Sequence, residues 1–316
     1  MVQVSVVPGK MVLQCIIASV LLLGLTGCGG ASPSPGDVPA VPDLIWDVRG
    51  ERAMKPDALE RRLSRAPVVL IGEVHDNPRH HAIEAELILA LVRMGRHDAV
   101  ALEMLDRGQQ AELDRLWREG AGVEAVLEAM GFDDRGWGAG QYRPVVAAMH
   151  EAEVIPLAAN LSREEAGRVM REGGDALFGP QERARLALDG AWPAEAESRL
   201  VGALRESHCN ALPEDLLPGM LAAQRARDAV LADRLLTRLD DGVILVAGAQ
   251  HVRRDHGVPV YLAAREPGLE VAVVRLVEVV GERPVADYLE GGAFDYLWFT
   301  TRTARPDPCA QFRQRD

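Results

Sequence analysis

The stretch Pro67-Val68-Val69-Leu70-Ile71-Gly72-Glu73-Val74-His75 has the same pattern as Val243-Ile244-Leu245-Val246-Ala247-Gly248-Ala249-Gln250-His251. In each, a short apolar run precedes the motif G-x-x-H. This pattern predicts a buried parallel strand, then a glycine that permits a sharp turn, and then a histidine. Ligands of open α/β sheets bind beyond the carboxyl ends of the strands. We therefore expect His75, His251 and the carboxylate of Glu73 to lie at one edge of a sheet, although the motifs are far apart in sequence.

Short apolar runs alternate with longer stretches of helical spacing along most of the chain. Strands are predicted at 44–48, 99–104, 154–160, 258–262, 270–276 and 295–300, the last as an edge strand. Helices are predicted at about 56–65, 78–94, 109–130 and 143–152. This alternation is typical of an α/β fold, here a mainly parallel β-sheet flanked by helices.

One long segment interrupts this alternation. Residues 162–239 contain no strand pattern, and their amphipathic stretches are broken by glycine and proline, so we interpret them as a helical insertion subdomain. Residues 44–161 and 240–316 then form the α/β domain. Residues 29–43, rich in Ser, Pro and Gly, are expected to be a flexible tether.

The first 28 residues have the features of a signal peptide. An apolar stretch from Met11 to Leu25, too short to span a bilayer comfortably, runs into Leu25-Thr26-Gly27-Cys28, which resembles a bacterial lipobox. We predict that Cys28 is lipidated and anchors the protein in the cell envelope, rather than being a buried structural cysteine. Gly29 follows instead of aspartate, which favours the outer membrane over the inner one.

Charge and cysteine content narrow the function further. The net charge of −12 makes nucleic acid an unsuitable partner, because phosphate binding needs a basic face.

Cys209 and Cys309 would remain in an oxidising compartment, where we predict a disulfide between them. The alternative is a pair of thiols used in metal or haem ligation. No C-x-x-C-H occurs, which excludes covalent attachment of a c-type haem.

Polar residues collect at the predicted strand ends, namely Glu73, His75, Glu103, Asn160 and His251. Two imidazoles and two carboxylates can hold a divalent metal such as zinc or manganese, or act as general acid and base. A single histidine there would more commonly be a hydrogen-bonded structural residue. The convergence of several polar residues favours a functional site instead, because burying these residues without a partner would cost several kcal/mol.

Other candidates flank this edge. Asp76-Asn77-Pro78 is a plausible helix cap, after which His80 is expected to be solvated and His81 can point back toward the cleft. Gln224, Arg227 and Asp228 share one helical face, which would either line the cleft or form a surface ion pair. The segment after the first motif lacks H-E-x-x-H, so a zincin-type protease is unsupported.

Haem binding requires different residues: an apolar slot, an axial ligand and arginines for the propionates. Tyr142 follows a Gly/Trp-rich loop at a predicted helix start and has Arg143 beside it. It would serve either as an axial ligand or as a packing aromatic, and the chemistry of the segment alone favours neither.

In their order and spacing these motifs resemble the ChaN family of haem-binding lipoproteins. The resemblance is carried by Val68-Val69-Leu70-Ile71-Gly72-Glu73-Val74-His75-Asp76-Asn77 with His80-His81, Ala101-Leu102-Glu103-Met104, Ala158-Ala159-Asn160, Gln224 with Arg227-Asp228, Val246-Ala247-Gly248-Ala249-Gln250-His251, Asp295-Tyr296-Leu297-Trp298-Phe299-Thr300 and Asp307-Pro308-Cys309. It extends from about Ile45 to Cys309.

The resemblance implies an iron-regulated envelope lipoprotein that binds haem, more a binding protein than an enzyme. It implies an α/β domain with a smaller helical domain, and haem at a homodimer interface with a tyrosine as axial ligand, here Tyr142. An outer-membrane haem receptor would be a partner. Arg143, His81, His75, His251 and Asn160 are the other residues expected near the haem.

The paired G-x-x-H motifs also look like those of a wider superfamily that includes Tiki-type metalloproteases and erythromycin-esterase-like hydrolases. That similarity implies an alternative function, a metal-dependent hydrolase or protease. Its catalytic and metal-binding residues would be Glu73, His75, Glu103 and His251, with a metal-bound water as nucleophile.

Overall fold

Both apolar runs that precede a G-x-x-H motif form strands, and these strands are neighbours. The strands are β1 (Ile45–Asp47), β2 (Arg52–Met54), β3 (Val68–Glu73), β4 (Ala99–Asp106), β5 (Ile155–Asn160), β6 (Val243–Gly248), β7 (Val271–Glu278) and β8 (Tyr296–Thr300). They make one sheet in the order β2-β1-β8-β7-β3-β6-β4-β5. Strand β3 pairs with β6 in parallel, with Val68 opposite Val243 and Glu73 opposite Gly248. The two motifs therefore end side by side, as predicted.

The computed structural model describes residues 34–310, apart from 135, 191 and 308. The predicted lipobox with Cys28 and the first part of the predicted tether lie outside the described residues. The described residues all belong to one compact unit of the chain. None of the helices among them is long and apolar enough to cross a membrane.

Helices cover both faces of the sheet. They are α1 (Pro56–Leu63), α2 (Pro78–Arg93), α3 (Gln110–Arg118), α4 (Val123–Ala129), α5 (Ala139–Glu151), α6 (Arg163–Glu172), α7 (Pro180–Arg185), α8 (Ala194–Ser207), α9 (Leu217–Leu236) and α10 (Val258–Arg265). Alternate residues of β3 enter different cores: Val68 and Leu70 pack on the side of α9 and α10, and Val69 and Ile71 pack on the side of α2 and α5. Central parallel strands buried on both faces are therefore almost entirely apolar.

The α/β class and the mainly parallel sheet are confirmed. The six strands from β8 to β5 are parallel, and β1 runs antiparallel to both β8 and β2. Between residues 162 and 239, the described positions form helices and no strand. Helix α9 of this segment packs on α6, α10 and β5, so it also helps to cover the sheet. The boundary of an insertion subdomain at 162–239 stays a prediction.

Two strand predictions were wrong. Residues 258–262 begin α10 instead, because Pro259 lies in the first helical turn and Val258, Tyr261 and Leu262 share a buried face at helical spacing. The strand at 295–300 exists but is not an edge strand, because β1 and β2 extend the sheet beyond it. Strand β2 was missed since its short sequence, Arg52-Ala53-Met54, is largely exposed and lacks apolar alternation.

The helix predicted over 109–130 is two helices. Helix α3 ends at Arg118 and α4 begins at Val123. Gly120 between them has a φ of 67°, a left-handed conformation that a helix interior does not allow and that glycine adopts readily.

The glycines of the two motifs serve close packing rather than a turn, which corrects their interpretation. Gly72 lies within β3, and a Cβ there would stand 2.4 Å from Val252 Cγ2 and 3.0 Å from Ala249 Cα. A Cβ on Gly248 would stand 2.8 Å from His75 Nε2. The first glycine thus lets the loop after β6 lie against β3, and the second leaves room for the imidazole of His75.

The predicted disulfide is present. Cys209, just after α8, is bonded to Cys309 in the C-terminal tail, with Cα atoms 5.5 Å apart. The tail before it is held by Arg305, which forms ion pairs with Glu278 at the end of β7 and with Asp76 after β3. The bridge therefore joins the helical segment to a tail that is itself fixed to the sheet.

Candidate functional site

Glu73, the last residue of β3, is the buried centre of the first half of the site. Its Oε1 accepts hydrogen bonds from His75 Nδ1 at 2.9 Å and from the Tyr142 hydroxyl at 2.6 Å. Its Oε2 lies 2.9 Å from His81 Nε2. Burial alone would raise the pKa of Glu73, but the hydrogen bonds from His75 and His81 outweigh it and hold the pKa well below its usual range. Glu73 is therefore a carboxylate that orients the imidazole of His75.

His251 is the centre of the second half. Its Nδ1 lies 2.5 Å from Asp228 Oδ1 of α9, and its Nε2 lies 3.2 Å from Glu103 Oε1 of β4. Burial alone would lower the pKa of His251, but the charges of Glu103 and Asp228 raise it to about 10. An imidazole between two carboxylates is thus held as imidazolium.

Glu103 joins the two halves. Its Oε2 accepts the Gly248 N–H at 2.7 Å and lies 4.0 Å from His75 Nε2. Burial alone would raise the pKa of Glu103, but His251, His75 and the Gly248 N–H lower it to about 2. For His75, burial alone would lower the pKa, but the hydrogen bond that it donates to Glu73 and the charge of Glu103 outweigh burial and raise the pKa. The Nε2 atoms of both histidines therefore face one carboxylate.

Behind Glu73 lies a second buried group that the sequence analysis did not predict as a site. Ligand atoms of Glu73, His81 and Glu84 lie within 4.8 Å of one another, a geometry that could hold a metal ion. Burial and the adjacent charge of Glu73 raise the pKa of Glu84 well above its usual value. Glu84 is therefore a neutral acid next to the Glu73 carboxylate. Its position three residues after His81 on α2 was the available signal.

His80 is fully buried, so the prediction of a solvated helix start was wrong. Its Nδ1 accepts the Val74 N–H at 2.9 Å, and its Nε2 lies 2.9 Å from Thr300 Oγ1. Burial lowers the pKa of His80 to about 4, which keeps it neutral. The predicted cap beside it is present, since Asn77 accepts the Arg79 N–H at the start of α2.

The residues predicted near a haem fall in three places. Tyr142 is fully buried, and its hydroxyl donates to Glu73. Arg143 is exposed and forms an ion pair with Glu124, away from the two histidines. Asn160 is buried and donates to the carbonyl oxygen of Glu103 at 3.0 Å, which connects the end of β5 to β4. Tyr142 and Asn160 thus lie against Glu73 and Glu103, whereas Arg143 lies outside the site.

The face of α9 that carries Gln224, Arg227 and Asp228 points into the site. Gln224 Nε2 lies 3.1 Å from His251 Nδ1, which is also the atom that contacts Asp228. Arg227 donates to the Leu161 carbonyl at 3.4 Å. Of the two interpretations of this face, lining the cleft matches the structure, and a surface ion pair does not.

A cavity of about 710 Å³ opens above this edge of the sheet. Its floor includes Glu73, His75, Gly248 and His251, and its walls come from α6, α8 and α9. The apolar part of the walls consists of Met170, Leu200, Ala203, Leu204, Met220 and Ala223. Arg163 and Arg227 line both this cavity and a second one of about 600 Å³ that Trp137 and Asn160 border.

Sequence analysis missed several polar residues of this cavity, among them Arg163 and His208. Arg163 begins α6, and His208 follows the last residue of α8. Both lie in the segment predicted as a helical insertion, where no strand end marks a functional edge. Only the packing of α6, α8 and α9 over the sheet brings them to the cavity.

Residues 59–262 match the sequence profile described as "Haem-binding uptake, Tiki superfamily, ChaN". The chain belongs to this family. No curated protein sequence matches the chain.

Three solved structures resemble this ChaN-family protein. The structure titled as cofacial haem binding to ChaN of Campylobacter jejuni has a TM-score of 0.64 and 24% identity, covering 80% of this chain and 95% of that one. The type III effector HopBA1 has a TM-score of 0.43 at 13% identity, and the match covers 78% of this chain and 93% of the effector chain. A mutant of the erythromycin esterase EreC in its open conformation has a TM-score of 0.41 at 14% identity, and the match covers 81% of this chain and 82% of the esterase chain. At these identities, the first likeness concerns the fold, and the other two are too weak to support an argument.

Proposed function

We propose that this ChaN-family protein binds haem in the cavity between the sheet edge and helices α6, α8 and α9. The observation that carries the proposal is the composition of that cavity, in which an apolar wall, three arginines and three imidazoles line one space. Haem needs these three elements: apolar surface for the macrocycle, cations for the propionates and a donor for the iron. Its volume of about 710 Å³ lies in the range typical of cofactor sites.

Tyr142 as the axial ligand stays a prediction. Its hydroxyl is buried, hydrogen-bonded to Glu73 and absent from the cavity lining. Burial and the charge of Glu73 raise the pKa of Tyr142 above that of a free phenol, which opposes the phenolate form that binds ferric iron. Ligation by Tyr142 would require α5 to move and the hydrogen bond to Glu73 to break.

The cellular context belongs to the same proposal. The lipobox-like Leu25-Thr26-Gly27-Cys28 supports a lipid anchor in the cell envelope, facing the periplasm and attached to the outer membrane rather than the inner one. The disulfide supports an oxidising compartment. In that setting the protein would act in haem or iron acquisition, with a homodimer formed on haem binding and an outer-membrane receptor as partner.

A hemin titration tests the haem site. Residues 31–316, which include the compact unit, are expressed without lipid and titrated with hemin while the Soret band is recorded. We expect saturable binding at micromolar protein. Ala203→Trp, which places an indole in the apolar wall, should abolish it, and Ala194→Trp on the exposed start of α8 should not. A Soret band that does not shift or saturate in the wild type would contradict the proposal.

A second candidate function is a metal-dependent hydrolase, and one observation favours it. Both site histidines have Nδ1 on a buried carboxylate, His75 on Glu73 and His251 on Asp228, and both direct Nε2 toward Glu103. Carboxylates in this position orient metal-ligating histidines. His75, Glu103 and His251 would then hold zinc or manganese, which would supply an activated water to the cavity.

Metal analysis tests this alternative. The purified protein is dialysed against zinc or manganese and its bound metal is measured. A stoichiometric metal that is lost in Glu103→Gln and His75→Ala, but kept in Glu112→Gln on the exposed face of α3, would support it. Equal metal content in all four proteins would contradict it.

A further inference from the structure

His208 occupies a distinctive position in the cavity wall. It follows the last residue of α8 and lines the cavity close to Leu204. The two methionines of the same wall, Met170 and Met220, come from α6 and α9. A ligand in the apolar part of the cavity would therefore meet an imidazole beside apolar side chains.

The hydrogen bonds of His208 determine which ring nitrogen is available. Its Nδ1 lies 2.8 Å from the carbonyl oxygen of Leu204. A carbonyl oxygen can only accept, so Nδ1 carries the proton and donates it. Nε2 of the neutral ring then has a free lone pair, and it makes no hydrogen bond with any residue that the structure describes. A backbone carbonyl on Nδ1 is the arrangement that orients metal-ligating histidines.

The other two histidines of the cavity, His251 and His75, both contact carboxylates of the site. His251 is held between two carboxylates, with Nδ1 2.5 Å from Asp228 Oδ1 and Nε2 3.2 Å from Glu103 Oε1, so both of its ring nitrogens already have partners. His75 directs Nε2 toward Glu103 at 4.0 Å, and Trp137 packs against its ring with centroids 4.9 Å apart. His208 is the cavity imidazole that no carboxylate contacts among the described residues.

The backbone at His208 is fixed by the next residue. Cys209 is bonded to Cys309, and the tail that carries Cys309 is held to the sheet by Arg305. The end of α8 is thereby attached at a second point besides its packing. A ligand residue with such support loses little freedom when it binds.

We infer that His208 Nε2 is the axial ligand of the haem iron in this chain, with Arg163 and Arg227 as the cations for the propionates. This inference rests on the proposed haem binding and assigns the ligand to the helical wall instead of to Tyr142. Nε2 would donate its lone pair to the iron, while the proton stays on Nδ1 and remains hydrogen-bonded to the Leu204 carbonyl oxygen.

Spectroscopy of ferric haem complexes tests this assignment. Hemin is titrated into the wild type, His208→Ala, Tyr142→Phe, His75→Ala and His150→Gln, a control histidine on α5 outside the cavity lining. The Soret position, the electron paramagnetic resonance spectrum and the affinity are recorded for each. We expect His208→Ala alone to change the ligand signature and to weaken binding about tenfold or more. Added imidazole should restore the wild-type signature in His208→Ala.

The outcomes separate the inference from the proposed function. If the wild type does not bind hemin, both are contradicted. If the wild type binds and His208→Ala keeps its affinity and spectrum, haem binding stands and the assignment of His208 is wrong. A spectral change in Tyr142→Phe or His75→Ala alone would place the ligand there. Circular dichroism of His208→Ala excludes unfolding as the cause of any loss.

Discussion

His251 Nε2 lies 3.2 Å from Glu103 Oε1, although His251 lies in the loop after β6 and Glu103 lies in β4, far away in the sequence. They meet because β6 lies beside β4 in the sheet, and because the loop after β6 returns His251 over the strand ends. Asp228 of α9 closes the arrangement from the other side of the ring. This buried charge cluster couples the sheet to the helical segment, and its integrity should be measurable as stability.

Removing the imidazole of His251 should strongly lower the stability of the protein. In His251→Ala the carboxylates of Glu103 and Asp228 would remain buried without their shared cation, so we expect the free energy of unfolding to fall by about 3–5 kcal/mol. Urea denaturation of metal-free protein at neutral pH measures this. Arg115→Ala, which breaks the exposed pairs of Arg115 on α3, should lower the free energy of unfolding far less, because water screens both pairs. Equal losses of unfolding free energy in the two variants would contradict the explanation that the buried position of the cluster makes its ion pairs important for stability.

The motif glycine Gly72 should tolerate no side chain. In Gly72→Ala the new Cβ would stand 2.4 Å from Val252 Cγ2 and 3.0 Å from the Ala249 backbone, so we expect a loss of about 1–3 kcal/mol in unfolding free energy. Val252→Ala in the same chain should recover part of this loss, because it removes the nearer atom. Gly140→Ala on the exposed face of α5, with nothing within 4 Å, should be neutral or stabilising. A Gly72→Ala variant as stable as Gly140→Ala would show that the loop after β6 can move away from β3 at no cost.

His80 should make the protein sensitive to acid. Burial lowers its folded-state pKa from 6.5 to about 4, while Glu73 and Glu278 partly oppose that shift. Between these two pH values the unfolded chain binds the proton and the folded chain does not. Stability therefore falls as the pH drops from about 6.5 to about 4, by roughly 1–3 kcal/mol for this group.

Urea denaturation across that pH range checks the contribution of His80. Protonation of Nδ1 would also break its bond with the Val74 N–H, so the loss is tied to the strand end that carries Glu73. His80→Gln removes the titrating group and should give a shallower decline with acid, whatever its stability at pH 7. An unchanged decline in this variant would assign the acid sensitivity to other groups.

The disulfide should stabilise both the fold and the cavity. Its cysteines are 100 residues apart, and closing a loop of that length stabilises by about 4–5 kcal/mol in the chain-entropy model. We expect Cys209→Ser with Cys309→Ser to lower the melting temperature and to weaken hemin binding, because His208 precedes Cys209. Wild type treated with a reductant should behave like the double variant. Lower stability with unchanged hemin affinity would show that the disulfide stabilises the fold but does not position His208 for haem binding.

The amino-acid sequence by itself determined the strands that build the site edge. Uninterrupted apolar runs are typical of strands in a parallel sheet that helices cover on both faces, and β3, β4, β5 and β6 lie where such runs predicted. The site residues Glu73 at the end of β3, Glu103 in β4 and His251 after β6 were located from those runs. Local periodicity failed at 258–262, where a proline at a helix start and a helical apolar spacing resemble a short strand.

Only the tertiary structure decided what surrounds that edge. Whether a polar residue is buried depends on elements distant in sequence, so His80 proved to be enclosed by Thr300, and Tyr142 proved to be bonded to Glu73. The cavity wall is set by how α6, α8 and α9 pack over the sheet, which brings His208 to the ligand space. A local pattern records which residues avoid water, but it does not record which distant residues they meet.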